Sequence, residues 1–283
     1  MAKRIFLFVL TNIAVVLTIS VILAVLGVQP GSGLEGLMLF SLIWGMGGAF
    51  ISLQMSRWIA KRATGARLVD GQTGRQELDR VYATVQRLTQ QANLPMPEVG
   101  IYDSPEVNAF ATGPSKSRSL VAVSTGLLRS MRPNEVEGVL AHEVAHIANG
   151  DMVTMTLLQG VINAFVIFFA RVIAGFLSRN DERPNFLVIM ALQVVLGMLG
   201  GLITAWFSRY REFRADDGGA TLAGRENMAG ALRRLLANQE MVDTSHQALA
   251  TMKINGGARS WAALWSTHPP LEARIAALEQ FQR

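Results

Sequence analysis

Long uncharged apolar runs constrain this chain more than any other feature. Ile5–Val28 is nearly all apolar, and Leu37–Met55 forms a second run. Met155–Leu177 is a third, interrupted by Arg171, and Phe186–Phe207 a fourth, with Gly197, Gly200 and Gly201 suited to close helix packing. A bilayer-spanning helix needs about 18–20 such residues, and all four runs reach that length. Hydrophobic residues make up 50% of the 283-residue chain and charged residues only 17%, against about 25% in an ordinary soluble domain. The first run follows Met1-Ala2-Lys3-Arg4, but it is too long for a signal-peptide core and no small-x-small cleavage site follows, so it reads as an uncleaved span. Arg171 is tolerated in the third if it snorkels to an interface or faces other helices.

The formal net charge of +5 invites a nucleic-acid reading. The basic residues instead flank the spans: Lys3 and Arg4; Arg57, Lys61, Arg62 and Arg67; Arg209, Arg211 and Arg214. The short loop 29–36 has none, and loop 178–185 balances Arg179 and Arg183 against Asp181 and Glu182. This asymmetry places both termini and both polar blocks in the cytoplasm, and no nucleic-acid partner is needed to explain the charge. The chain therefore divides into spans at 1–55, a polar block at 56–151, spans at 152–207 and a second polar block at 208–283. Each polar block is too small for a complete core, so the two are expected to pack as one domain. The absence of cysteine excludes disulfides and thiolate metal ligands.

The first polar block opens on a basic linker. An amphipathic helix is predicted near Arg75–Ala92, with Leu78, Val81, Tyr82, Val85 and Leu88 as its buried stripe, ended by Pro95 and Pro97. Strands follow at Glu98–Tyr102, Asn108–Thr112 and Leu120–Ser124, the last two joined as a hairpin by Pro114-Ser115-Lys116-Ser117. In the second block, Met228, Leu232, Leu235 and Leu236 mark one helical face, and 241–266 has no clean period, as a loop over a cleft would. The fold class is mainly α with a small β-sheet: a four-helix transmembrane region plus a cytoplasmic domain.

The chemistry is carried by His142-Glu143-Val144-Ala145-His146. On a helix the two imidazoles lie on one face and reach one zinc ion, while Glu143 reaches a water in the open coordination position. Asn134 three before Glu137 is a candidate capping pair, the run Val139, Leu140, Val144, Ile147 an apolar stripe, and Asn149-Gly150 the stop. A third ligand is required. The H-E-x-x-H-x-x-G-x-x-H solution fails, because Asn149 stands where the Gly belongs and Met152 where the His belongs. His246 and His268 remain, as does a carboxylate from a second helix. Glu212 fits best, with Asp216 four residues on, able to orient a ligand histidine.

These motifs, with His268-Pro269-Pro270-Leu271-Glu272-Ala273-Arg274, resemble the membrane gluzincins. Including Asn108-Ala109-Phe110-Ala111-Thr112-Gly113 and Ala148-Asn149-Gly150-Asp151, nearly the full length resembles the HtpX-type family of bacterial heat-shock metalloproteases. The resemblance implies a multi-pass endopeptidase of the inner membrane with one Zn2+ per chain. It implies a stress-response role, with damaged or misassembled membrane proteins as substrates and the active site facing the cytoplasm. It also implies Glu212 as third ligand, Asp216 as its supporting partner, His268 at the oxyanion and Arg274 behind the site. In such proteases a strand like 108–112, with Asn108, Ala109, Phe110 and Ala111, pairs with extended substrate; the alternative is an ordinary sheet strand. Two rival functions are a CAAX-type prenyl-protein endopeptidase, whose relatives carry more spans, and a zinc-binding membrane scaffold without turnover, which has no reason to keep Glu143.

Overall fold

The structure, a computed structural model, describes residues 34–178, 186–247 and 266–280. The predicted first span lies outside these residues, as does most of the segment predicted to cover a cleft. The chain divides into two compact units. One holds residues up to Gln54 with Val153–Thr204, and the other Met55–Met152 with Ala205–Arg283.

The first unit is helical. It contains the N-terminal part of α1 (Leu34–Thr64), most of the α5 helix (Asp151–Leu177) and the N-terminal half of the α6 helix (Phe186–Ala223). Among the described residues these three helices are long and apolar enough to cross a membrane. Large apolar side chains such as Phe165, Val194, Leu199 and Ile203 are left exposed, as lipid-facing residues would be. Small residues let the helices approach: a Cβ on Gly45 would collide with the Ala164 backbone, and one on Gly200 with the Ile162 side chain. Among the described residues a Cβ on Gly197 would meet nothing within 4 Å. Arg171 does not break α5. Its guanidinium lies 5.0 Å from the Phe40 ring centroid and donates to the Ile167 carbonyl at 3.3 Å.

The second unit is built on a sheet of order β1-β2-β4-β3, with β1 at Arg67–Val69, β2 at Glu98–Tyr102, β3 at Ala109–Ser115 and β4 at Arg118–Ser124. β4 pairs parallel with β2 and antiparallel with β3, and β1 is antiparallel to β2. β4 is buried on both faces, which is why its sequence shows no polar alternation. Val121 and Val123 enter the main core with Val85, Leu88, Leu127, Leu140, Val144 and Ile147. Leu120 and Ala122 pack on the other face with Tyr102 and Phe110. The predicted hairpin is present, but it is tighter and irregular: Ser115 pairs with Arg118, and the register shifts between Thr112 and Ser115. β1 arises inside the basic linker, where no strand is predicted. Its three residues are too few for a periodic signal, and Lys61 and Arg57, just before it, hold Glu98 of β2 at 3.0 Å each.

The α2 helix (Gln76–Gln91) buries Val81, Val85 and Leu88 as predicted. It stops before the prolines, because Asn93 takes a left-handed conformation at φ 52 and Leu94 N–H turns back to the Thr89 carbonyl at 2.9 Å. After the short α3 (Thr125–Ser130), α4 (Pro133–Asn149) packs against α7 (Arg225–Gln247). The two helices lie close together at Gly138, where a Cβ would strike the Asn227 carbonyl. Gly138→Ala is expected to push α7 off α4 and cost about 1–3 kcal/mol. A thermal melt of the variant unchanged from wild type would contradict that contact. The α8 helix (Leu271–Gln280) then packs on α7 through Leu278, Met228 and Leu232.

Candidate metal centre

α4 carries the H-E-V-A-H run. It begins two residues earlier than the Asn134 cap implies: Arg132 is the cap, Pro133 takes the first turn, where its missing N–H is harmless, and Glu135 accepts from Arg132 N–H at 2.8 Å. Glu135, not Glu137, is thus the carboxylate that closes the N-terminus, and it also meets Arg234 at 3.2 Å. Gly150 ends the helix in a left-handed conformation at φ 70.

His142 and His146 project from one face with ring centroids 4.5 Å apart and nearly perpendicular planes. Their Nε2 atoms are 3.1 Å apart. Glu212 comes from α6, which runs unbroken from Phe186 to Ala223. The helix therefore passes the predicted end of the fourth span at Phe207 without a break. No helix breaker stands between Phe207 and Glu212, so the helix continues. Gly218 and Gly219 let α6 lie close to α4: a Cβ there would meet Ala145 Cβ at 2.8 Å and the His142 backbone nitrogen at 3.1 Å. Glu212 Oε2 lies 3.6 Å from His142 Nε2, and Oε1 lies 3.4 Å from His146 Nε2. The three ligand atoms lie within 4.8 Å of one another, and all three residues are buried.

The Nδ1 atoms face the other way. His142 Nδ1 is 2.9 Å from Asp216 Oδ1, and His146 Nδ1 is 2.6 Å from Asp151 Oδ2. Asp216 is also held by Arg274, with Nε at 2.7 Å and Nη2 at 2.6 Å. When the rings are neutral, each carboxylate accepts an Nδ1–H, and each Nε2 keeps a lone pair directed at the other and at Glu212. His268 Nδ1 and Arg274 Nη1 approach Glu212 Oε2 to 3.0 and 3.3 Å, yet both Glu212 oxygens are buried without a hydrogen bond. A buried carboxylate whose oxygens lack a hydrogen bond, converging with two imidazole nitrogens, is costly unless a cation sits there. Two imidazoles and one carboxylate, with no thiolate, are the donor set of a hydrolytic zinc site.

The centre opens into a cleft of ≈ 190 Å³ lined by Asn108, Ala109, Glu143, Met228, Leu232 and His268, among others. Glu143 is half-buried and His268 exposed, so both can reach a substrate. Of the predicted strand residues, Asn108 and Ala109 reach the cleft; Phe110 and Ala111 do not line it. Phe110 packs on Tyr102 at 5.7 Å between centroids, and Ala111 packs against the main core. β3 lies at the edge of the described sheet. Asn108 itself precedes β3, with its N–H donating to Ser124 Oγ at 3.2 Å and its carbonyl accepting from Ser124 N–H at 2.9 Å. Sequence reasoning gives Asp151 no role, although a signal is there: a Gly stop followed at once by an acidic residue, which the left-handed turn brings back beneath His146.

The family profile of Peptidase family M48 matches residues 75–282. The chain belongs to peptidase family M48. Similar relatives of this M48 peptidase include Protease HtpX of Shewanella sp. (strain MR-4), 53% identical over 98% of this chain and 99% of the relative. Protease HtpX of Idiomarina loihiensis is 49% identical over the same shares. In fold, the M48 peptidase is similar to the crystal structure of S. mikatae Ste24p at a TM-score of 0.63 and 19% identity, over 98% of this chain and 66% of that one. It is an HtpX-type membrane metalloprotease, a hydrolase of peptide bonds.

Burial alone would lower the pKa of His146, but the Asp151 and Glu212 carboxylates beside it outweigh that and raise it to about 9 in the metal-free site. His142 is raised as well: burial opposes the charged form, and Asp216 and Glu212 overcome it. A metal must therefore displace protons. The apparent metal affinity is expected to climb with pH and level off above about 9. Competition against a chromophoric chelator from about pH 6 to about pH 10 reads this directly, and a flat profile would contradict it.

Proposed function

We propose that this M48 peptidase is a zinc endopeptidase that removes damaged or misassembled membrane proteins, working at the cytoplasmic face of a bacterial inner membrane as part of a stress response. The supporting observation is the convergence of His142, His146 and Glu212 on one point, with Glu143 in the adjoining cleft. In this reading the bilayer is crossed within 1–55 and 152–207, and segments 56–151 and 208–283 form the protease. Only a few residues of chain separate Phe207 from Glu212, and His146 from Asp151, so the chemistry is tied by short stretches of chain to the spans.

His142, His146 and Glu212 hold the zinc ion, which when bound polarises the scissile carbonyl and acidifies water. Glu143 accepts the proton from the attacking water and delivers it to the leaving amine. His268, at the mouth of the cleft, donates to the developing oxyanion. Arg274 holds Asp216 by two hydrogen bonds, and Asp216 in turn fixes the His142 ring. Extended substrate lies along the β3 edge of the described sheet near Ala109, paired through its backbone, which suits a protease that must accept many sequences.

The substrate class is tested in cells by quantitative proteomics of the membrane fraction with wild-type or Glu143→Gln protein. Integral membrane proteins are expected to accumulate with the variant under stress; accumulation of soluble proteins alone would overturn the substrate class. Orientation has its own test. A reporter fused after residue 182 is expected to read as periplasmic and one after residue 283 as cytoplasmic; a periplasmic C-terminus would overturn the cytoplasmic placement.

A further inference from the structure

The two imidazoles at the centre are held from behind by different parts of the chain. Asp216, on α6, serves His142 and shares its charge with Arg274. Asp151 serves His146 from the first residue of α5, the helix that continues into the apolar unit. We propose that Asp151 is a positioning residue for the metal, acting through His146 and independently of the Asp216–Arg274 pair. This rests on His142, His146 and Glu212 being the metal ligands.

The geometry carries the proposal. Asp151 Oδ2 is 2.6 Å from His146 Nδ1, the shortest contact that either ring makes to a carboxylate. Asp151 is 5% exposed and His146 is 7% exposed, so water does not stand in for the bond. A hydrogen bond at Nδ1 fixes the tautomer that leaves Nε2 free, and it fixes the ring rotation that aims Nε2 at Glu212. Helix α4 alone does neither, because an imidazole can rotate about its Cα–Cβ and Cβ–Cγ bonds. The left-handed residue Gly150 is what makes the contact possible. An uninterrupted helix would put Asp151 about 140° around the axis from His146. The turn at Gly150 instead starts a new helix and brings its first side chain back under the ring. His146 is thereby held between its own helix and the first residue of α5.

The test measures metal rather than turnover. Zinc affinity of the purified full-length protein is read by chelator competition for wild type, Asp151→Ala and Asp151→Asn, with His146→Ala and Glu212→Ala alongside. Asp151→Ala is expected to weaken zinc by roughly 10–100-fold, and Asp151→Asn, which keeps an acceptor oxygen, by less than tenfold. In cobalt-substituted protein the visible ligand-field bands of Asp151→Ala are expected to shift, with Asp151→Asn nearer wild type. If the two ligand variants lose zinc while Asp151→Ala binds as wild type with an unchanged cobalt spectrum, the proposal is overturned and the ligand assignment stands. Wild-type zinc affinity in the ligand variants overturns the ligand assignment itself. Should Asp151→Ala fail to fold, Asp151→Asn decides: a measurable weakening with a shifted cobalt spectrum supports the role, and identity with wild type in both overturns it.

Discussion

Glu143→Gln is expected to keep its metal and lose its proteolysis. The carboxamide has nearly the size and shape of the carboxylate, and Glu143 stands outside the His142, His146 and Glu212 cluster, so zinc content should match wild type. What disappears is the acceptor for the water proton and the donor to the leaving amine. General acid–base catalysis by one group is typically worth about 10²–10⁴-fold, and a residue used in both directions belongs at the upper end. Cleavage of casein or of an unfolded membrane protein should fall by that factor with little change in KM, because Glu143 contributes to the transition state rather than to binding. A variant that cleaves near the wild-type rate would remove Glu143 from the mechanism. One that loses zinc as well would place it among the ligands.

How much of this could be read in advance depended on the range of the interactions involved. The H-E-V-A-H helix, the α2 stripe and the β2 strand follow from local periodicity, and each lies where the pattern puts it, within a residue or so. Glu212 was reachable because a zinc site with two histidines needs a third donor, a chemical requirement independent of distance along the chain. Asp151 was not assigned, because its role depends on the left-handed turn at Gly150, and a sequence pattern does not say where such a turn aims the next side chain. β1 leaves no sequence signal for a related reason: three residues gain strand structure only by pairing with β2. The continuity of α6 through the predicted boundary at 207/208 shows a further limit. Hydropathy registers the change from lipid to water, but the helix does not end there.

Glu212→Ala is expected to have the broader consequence. Glu212 is 1% exposed, and its two oxygens have no hydrogen bond of their own. Its burial as an anion is costly and is offset by the cationic and imidazole groups around it, and would be offset further by a bound metal. Truncation leaves two imidazoles and a cavity where the third ligand stood. Two-ligand sites hold zinc far more weakly, so stoichiometric zinc should be absent after dialysis and activity with it. Stability supplies an independent reading. A metal that binds only the folded protein stabilises it by about 4 kcal/mol at 1,000 times its Kd, so a chelator should lower the melting temperature of the wild type. The same chelator should leave Glu212→Ala unmoved, because that variant has no metal to lose. Loss of activity with zinc retained and chelator sensitivity unchanged would mean that Glu212 acts on substrate and that the third ligand lies elsewhere, with His268, 3.0 Å from the carboxylate, the first to examine. Glu212→Gln separates charge from shape: it fills the space and offers one carbonyl oxygen, so it should bind zinc more weakly than wild type but more tightly than Glu212→Ala.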